Sequence, residues 1–183
     1  MRLSMALTER DLIRVQAANP DFRVELRDGK IIVMSRYGSY SDAVTTGLIS
    51  RLHIFVRDHK LGFVFGSSGG FKLPNGDIVG PDASFVSREI MRTIPRRFAD
   101  VVPNLAVEVK SPSDRIRELE EKLSMLRDLG TRATMLIDPD ALTVTLDVVG
   151  NARRILTDED LIELPALLPG WSMRVSELWP ETF

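Results

Sequence analysis

The chain has 183 residues, of which 44% are hydrophobic and 27% charged, a balance that fits one soluble globular domain with a sizeable core. It holds no cysteine, which excludes a disulfide framework, zinc-thiolate sites and cysteine nucleophiles and suits a reducing cytosol. The net charge of -2 argues against a strong non-specific nucleic-acid binder, because any basic footprint must be local.

From the N-terminus, Met1 to Arg14 carries Arg2, Glu9, Arg10, Asp11 and Arg14 and no apolar run long enough for a signal peptide or a membrane span. A cytoplasmic, soluble protein is therefore expected. Thr8 can cap a first helix with Asp11 three positions on, with Leu12, Ile13 and Val15 as a partly apolar stripe and Asn19-Pro20 as its stop. A hairpin follows. Phe22, Val24 and Leu26 alternate with Arg23, Glu25 and Arg27, Asp28-Gly29 turns the chain, and Ile31 to Met34 return, so Glu25 points away from the apolar face.

From Ser41 to His59, Val44, Leu48, Leu52, Phe55 and Val56 recur at helical spacing and predict a long amphipathic helix. His53 and His59 fall on different faces of it and read as ordinary helix residues. Between Leu61 and Val86, closely spaced glycines divide the chain into short strands and tight turns. The run Gly66-Ser67-Ser68-Gly69-Gly70 lacks a following Gly-Lys-Ser/Thr and precedes a strand, so it is not a nucleotide-binding loop. Ser87 to Arg97 holds the densest positive cluster, Arg88, Arg92, Arg96 and Arg97, which could touch phosphates or form a solvated surface. Pro103-Asn104 leads into a strand over Leu105 to Val109, and Ser111 to Asp114 ends it. A helix then runs from Asp114 to Leu129, closed by Gly130 and burying Leu119, Leu123 and Leu126. Ala133 to Ile137 and Leu142 to Val148 read as two strands, and the tail adds short elements near Trp171 and Trp179.

Two segments carry chemistry. In Leu105 to Lys110 the strand period puts Leu105, Val107 and Val109 on one face and Glu108 and Lys110 on the other. If the strand carrying Asp82, after Pro81, runs alongside, two carboxylates reach one sheet edge, and with water and phosphate oxygens they make a fitting Mg²⁺ shell. Alone, Glu-x-Lys equally describes a half-buried strand with exposed charges.

Several linked stretches together are more specific. Val24-Glu25-Leu26-Arg27-Asp28-Gly29, Gly66 to Phe71, Pro81 to Val86, Pro103 to Asp114, Glu121-Lys122-Leu123 and Ile137-Asp138-Pro139 occur in order, and with them the chain resembles the Uma-two family of restriction-endonuclease-like proteins within the PD-(D/E)XK nuclease superfamily. The resemblance implies an α/β fold, a restriction-endonuclease-like mixed β-sheet flanked by helices, with an N-terminal helix and β-hairpin. It divides residues 1–183, taken as a single domain, into a helix and hairpin (1–36), a nuclease core (39–150) and a C-terminal appendage (151–183). It implies Asp82 and Glu108 as metal ligands, with Glu25 as an additional acid and the Val109 carbonyl as a further oxygen. The catalytic amine is Lys110 or Lys122, both of which this chain has. Members commonly carry a histidine soon after the first hairpin, where this chain has Ser39-Tyr40-Ser41-Asp42.

The function so implied is metal-dependent hydrolysis of phosphodiester bonds, in DNA, by an endonuclease using Mg²⁺ (or Mn²⁺) and acting as a homodimer, with Lys110 positioning the attacking water. Two other readings are a catalytically silent nucleic-acid-binding or interaction module on the same fold, and a structural protein in which Glu108 and Lys110 form a surface ion pair.

Overall fold

The computed structural model describes residues 6–34 and 38–183; Met1 to Met5, with Arg2, and Ser35 to Tyr37, which include the end of the 1–36 segment, lie outside them. In chain order the elements are α1 (Glu9–Ala18), β1 (Arg23–Arg27), β2 (Lys30–Met34), α2 (Ser39–Asp58), β3 (Gly62–Gly66), β4 (Phe71–Lys72), β5 (Ile78–Val79) and β6 (Ala83–Ser87). Then come β7 (Leu105–Val109), α3 (Ile116–Asp128), β8 (Ala133–Asp138), β9 (Thr143–Val148), β10 (Arg154–Leu156), β11 (Leu161–Glu163), β12 (Ser172–Arg174) and a 3-10 turn (Val175–Leu178).

The local signals act as expected. Thr8 and Asp11 close the start of α1, with the Thr8 amide and hydroxyl donating to Asp11 Oδ2 at 2.9 and 2.7 Å. Leu12 alone in α1 is buried, while Ile13 is 41% exposed, because α1 lies on the small Leu26–Ile78 core and turns one narrow stripe inward. Asp28 and Gly29 take positive φ values of 49° and 64°, the backbone of a two-residue hairpin turn that matches strand twist.

The larger sheet has the order β10-β9-β8-β7-β6-β3. Its neighbours are antiparallel except β7 and β8, whose parallel pairing requires a crossover, and α3 supplies it. A second sheet, β2-β1-β5-β4, brings the N-terminal hairpin against the β4–β5 segment. On one face of the larger sheet, Val44, Leu48, Leu52 and Val56 of α2 pack on Phe85, Leu105, Val107 and Val109. Ile162, Leu168, Trp171 and Met173 from the C-terminal segment join the same core. On the other face, Leu119, Leu123 and Leu126 of α3 pack against Ala106, Val86 and Leu136. Burial of each such leucine contributes about 1.5–3 kcal/mol.

β7 is therefore buried along its whole length. The half-buried strand with an exposed Glu108 does not occur, because α3 covers the face to which Glu108 points, leaving it 1% exposed. The Arg88 to Arg97 stretch forms turns and bends, not a helix, on the surface between β6 and β7. His53 on α2 and His59 just after its end are exposed, and His59 stacks on Phe55 with ring centroids 4.0 Å apart.

Candidate active site

Four elements converge on one buried polar cluster. β1 contributes Arg23, Glu25 and Arg27, which share a strand face by their period of two. The turn entering β6 contributes Gly80 and Asp82, β7 contributes Glu108, and α3 contributes Lys122. Glu25, Asp82, Glu108 and Lys122 are each no more than 2% exposed.

Lys122 is the hub. Its Nζ lies 2.7 Å from Glu108 Oε1 and donates to Glu25 Oε1 at 2.7 Å, with the Gly80 carbonyl at 3.4 Å. Glu25 Oε1 also accepts the Gly80 amide at 2.9 Å, and Arg27 Nε stands 3.4 Å from Oε2. Asp82 Oδ2 accepts the Val109 amide at 2.8 Å, and Oδ1 is 3.5 Å from an Arg23 amino group. Three carboxyl groups thus alternate with three cationic side chains. A buried charge is tolerated only with such partners.

The environment pushes the acids apart. Burial, together with the charges of Asp82 and Glu25, raises the Glu108 carboxyl to about 8, against the opposing pull of Lys122. Burial also raises Asp82, although Lys122, the Val109 amide and Arg23 pull it down. For Glu25 burial acts upward, yet Lys122, the Gly80 amide and Arg27 outweigh it and hold its carboxyl below the usual range. Burial would lower Lys122, but Glu108, Glu25 and Asp82 outweigh that, and its pKa is raised. Near neutral pH the cluster accordingly holds an ionised Glu25, a charged Lys122 and a protonated Glu108, a division of protonation states of the kind found in acid–base sites.

A cleft of about 230 Å³ opens onto this cluster, bordered by Asp82, Glu108, Lys122, Arg23, Arg27 and Ser111. Among the described residues no three His, Cys, Asp or Glu side chains converge as a metal-holding group. Gly80 is pinned between the loop and the acids: a Cβ there would lie 2.7 Å from the Ser67 carbonyl oxygen and 2.9 Å from that of Gly69. Gly80→Ala is therefore expected to cost about 1–3 kcal/mol, read as a lower urea midpoint at unchanged slope.

Lys110 lies elsewhere. Its Nζ pairs with Asp140 and with Asp138 at 3.7 Å, at the end of β8, and it does not border the cleft. β7 ends at Val109, so strand alternation no longer governs the next residue. A Glu108–Lys110 surface ion pair is thereby excluded: the two side chains have different partners, and Glu108 is buried. After the first hairpin, in the stretch Ser39 to Asp42, Ser41 Oγ donates to the Lys110 carbonyl at 2.9 Å. Arg23 and Arg27 were not singled out by sequence reasoning, although their spacing from Glu25 placed them on its face.

The fold is that of a restriction-endonuclease-like nuclease: a mixed sheet flanked by helices, with acids from both sheets meeting beside one cleft. A crystal structure of "a putative nuclease belonging to DUF820" from Anabaena variabilis ATCC 29413 is similar, with a TM-score of 0.76 at 20% identity over 85% of this chain and 88% of that one. The chain belongs to the Uma2 family, described as "Putative restriction endonuclease", which matches residues 10–176. No curated protein matches it. No helix among the described residues is long and apolar enough to cross a membrane.

Proposed function

We propose that the protein is a divalent-cation-dependent nuclease that hydrolyses phosphodiester bonds in DNA, with Asp82 and Glu108 as the ion-holding acids and Lys122 as the amine. The observation that carries this is the buried Lys122 ammonium, 2.7 Å from Glu108, with Asp82 beside it at the wall of one cleft.

The donor set suits a hard cation. Two carboxylates border open space, and Mg²⁺ accepts one or two carboxylates when water and phosphate oxygens complete its shell, with Mn²⁺ a substitute of similar demand. The Val109 carbonyl is a further oxygen on the same strand. When bound, the ion supplies charge stabilisation at the phosphate and a water of lowered pKa. Asp82 and Glu108 are the residues that would hold it, Glu108 as its carboxylate. Lys122, kept protonated by its three acids, donates hydrogen bonds and orients a water or a phosphate oxygen; it does not accept a proton at neutral pH. Glu25 fixes the ammonium in place instead of holding the ion. Lys110 is outside this machinery. A cytoplasmic location and a homodimer that cuts both strands complete the reading.

The test is incubation of the purified chain with supercoiled plasmid and with single-stranded DNA, in Mg²⁺ or Mn²⁺ and in chelator. Cutting that needs the ion supports the reading; ion-dependent DNA binding without cutting supports the silent module. Asp82→Ala should in addition abolish the rise in melting temperature that Mg²⁺ gives the wild type, since an ion that binds only the folded state stabilises it. An equal Mg²⁺-induced rise in both proteins would remove Asp82 from the ion site.

A further inference from the structure

Beyond the acid cleft, the surface continues as two further depressions. Arg23 borders both the cleft and a neighbouring depression of about 430 Å³. Ser68, Gly69, Gly70 and Phe98 in turn border both that depression and a third, of about 480 Å³. The third is walled by aromatic and aliphatic side chains and edged by Arg96 and Arg97. These two arginines are exposed, and among the described residues no ion pair or hydrogen bond involves either side chain. Among the described residues no acid borders the third depression, and only Asp21 and Glu25 border the middle one. Gly70 is required here: a Cβ on it would stand 2.4 Å from the Phe98 ring, which packs directly on the loop backbone.

We infer that this track is the path of a nucleic-acid strand leaving the cleft, with Arg96 and Arg97 pairing with its phosphates beyond the Ser67–Gly70 loop. The inference rests on the nuclease reading for the cleft and assigns the binding surface outside it. Continuity with the acids gives the strand its starting point. Unpaired guanidinium groups at the far end match phosphate oxygens in charge and geometry. The apolar wall with Phe98 gives bases a surface to lie on. A protein partner would meet the same apolar wall but would have to leave both arginines unmatched or supply its own acids.

The experiment compares the full chain with an Arg96→Gln/Arg97→Gln variant. Ca²⁺ replaces Mg²⁺, and fluorescence anisotropy follows an end-labelled single strand and a duplex across a salt series. Two lost phosphate contacts should reduce the log–log salt slope by about 1.4 for the single strand and weaken binding about tenfold or more at low salt. Melting temperature and sedimentation should be unchanged, because neither arginine has a side-chain partner among the described residues. A wild type that binds DNA with a variant that binds identically would overturn the path while leaving the nuclease reading intact. A wild type that binds neither DNA would overturn both. Altered sedimentation with unaltered DNA binding would make the track a contact between copies of the chain, which also overturns the inference.

Discussion

Lys122→Met is expected to destabilise the protein by about 3–5 kcal/mol at pH 7 and to abolish cleavage. The ammonium is buried and stands 2.7 Å from both Glu25 and Glu108, so its loss strands an ionised Glu25 that is only 2% exposed. Methionine fills a similar volume, which keeps the cost electrostatic instead of adding a cavity. Acid should relieve much of the penalty, because protonated carboxyls need no counter-charge; the gap in melting temperature between variant and wild type should narrow towards pH 4. Lys110→Ala makes the contrast. Lys110 pairs with Asp138 and Asp140 at a partly exposed edge, so its removal should cost about 1 kcal/mol or less and leave cutting in place. Equal activity in Lys122→Met and wild type would remove the amine from the mechanism.

Glu108→Gln is expected to stabilise the ion-free protein at pH 8 and to reduce its pH dependence above pH 5, leaving the share of the raised Asp82 carboxyl. The folded-state pKa of Glu108 is raised to about 8 from an ordinary 4.5. Between those values the folded chain holds a proton that the unfolded chain has released, so stability falls as pH rises through the window and is flat above it. The loss is on the order of a few kcal/mol. Glu25 has the opposite sign: its lowered pKa contributes stability that is present above about 4.5 and disappears as pH falls through its folded value. A wild-type melting temperature measured in chelator should thus peak near pH 5 and decline towards pH 8. In the glutamine variant, which resembles the protonated acid in shape and donor capacity, the decline should shrink to the part that the raised Asp82 carboxyl contributes. A wild type whose stability rises from pH 5 to pH 8 would contradict the buried, crowded state of Glu108.

The elements that position this site were legible wherever one period ran long enough. α2 and α3 carried their stripes over several turns, and the Asp28-Gly29 turn set the register of β1 against β2. Asp82 and Glu108 were legible because β6 and β7 pair as neighbours, with Ala83 opposite Val107. Alternation also separated Glu25 from Val24 and Leu26, but it could not tell that the opposite face is covered as well. Lys122 shows what a fuller reading needed. It lies three positions after Leu119 and one before Leu123, inside the buried stripe of α3, and a lysine there demands a buried anion. Lys110 falls outside the cleft, and a strand's period says nothing beyond the strand's last residue, Val109. The three-residue strands β10 to β12 were beyond reach, since three residues cannot establish any period, and their place is decided by tertiary contact with the α2 side of the sheet.

Glu108→Gln also tests most directly whether Glu108 acts as an ion-holding carboxylate, because the variant should fold at least as well as the wild type yet cannot become a carboxylate. The measurement is plasmid cleavage by wild type and Glu108→Gln at pH 8 in Mg²⁺, with melting curves taken on the same samples. The wild type is expected to cut, and the stably folded variant to lose about a hundredfold or more of that activity. Cutting by Glu108→Gln at the wild-type rate would contradict that role.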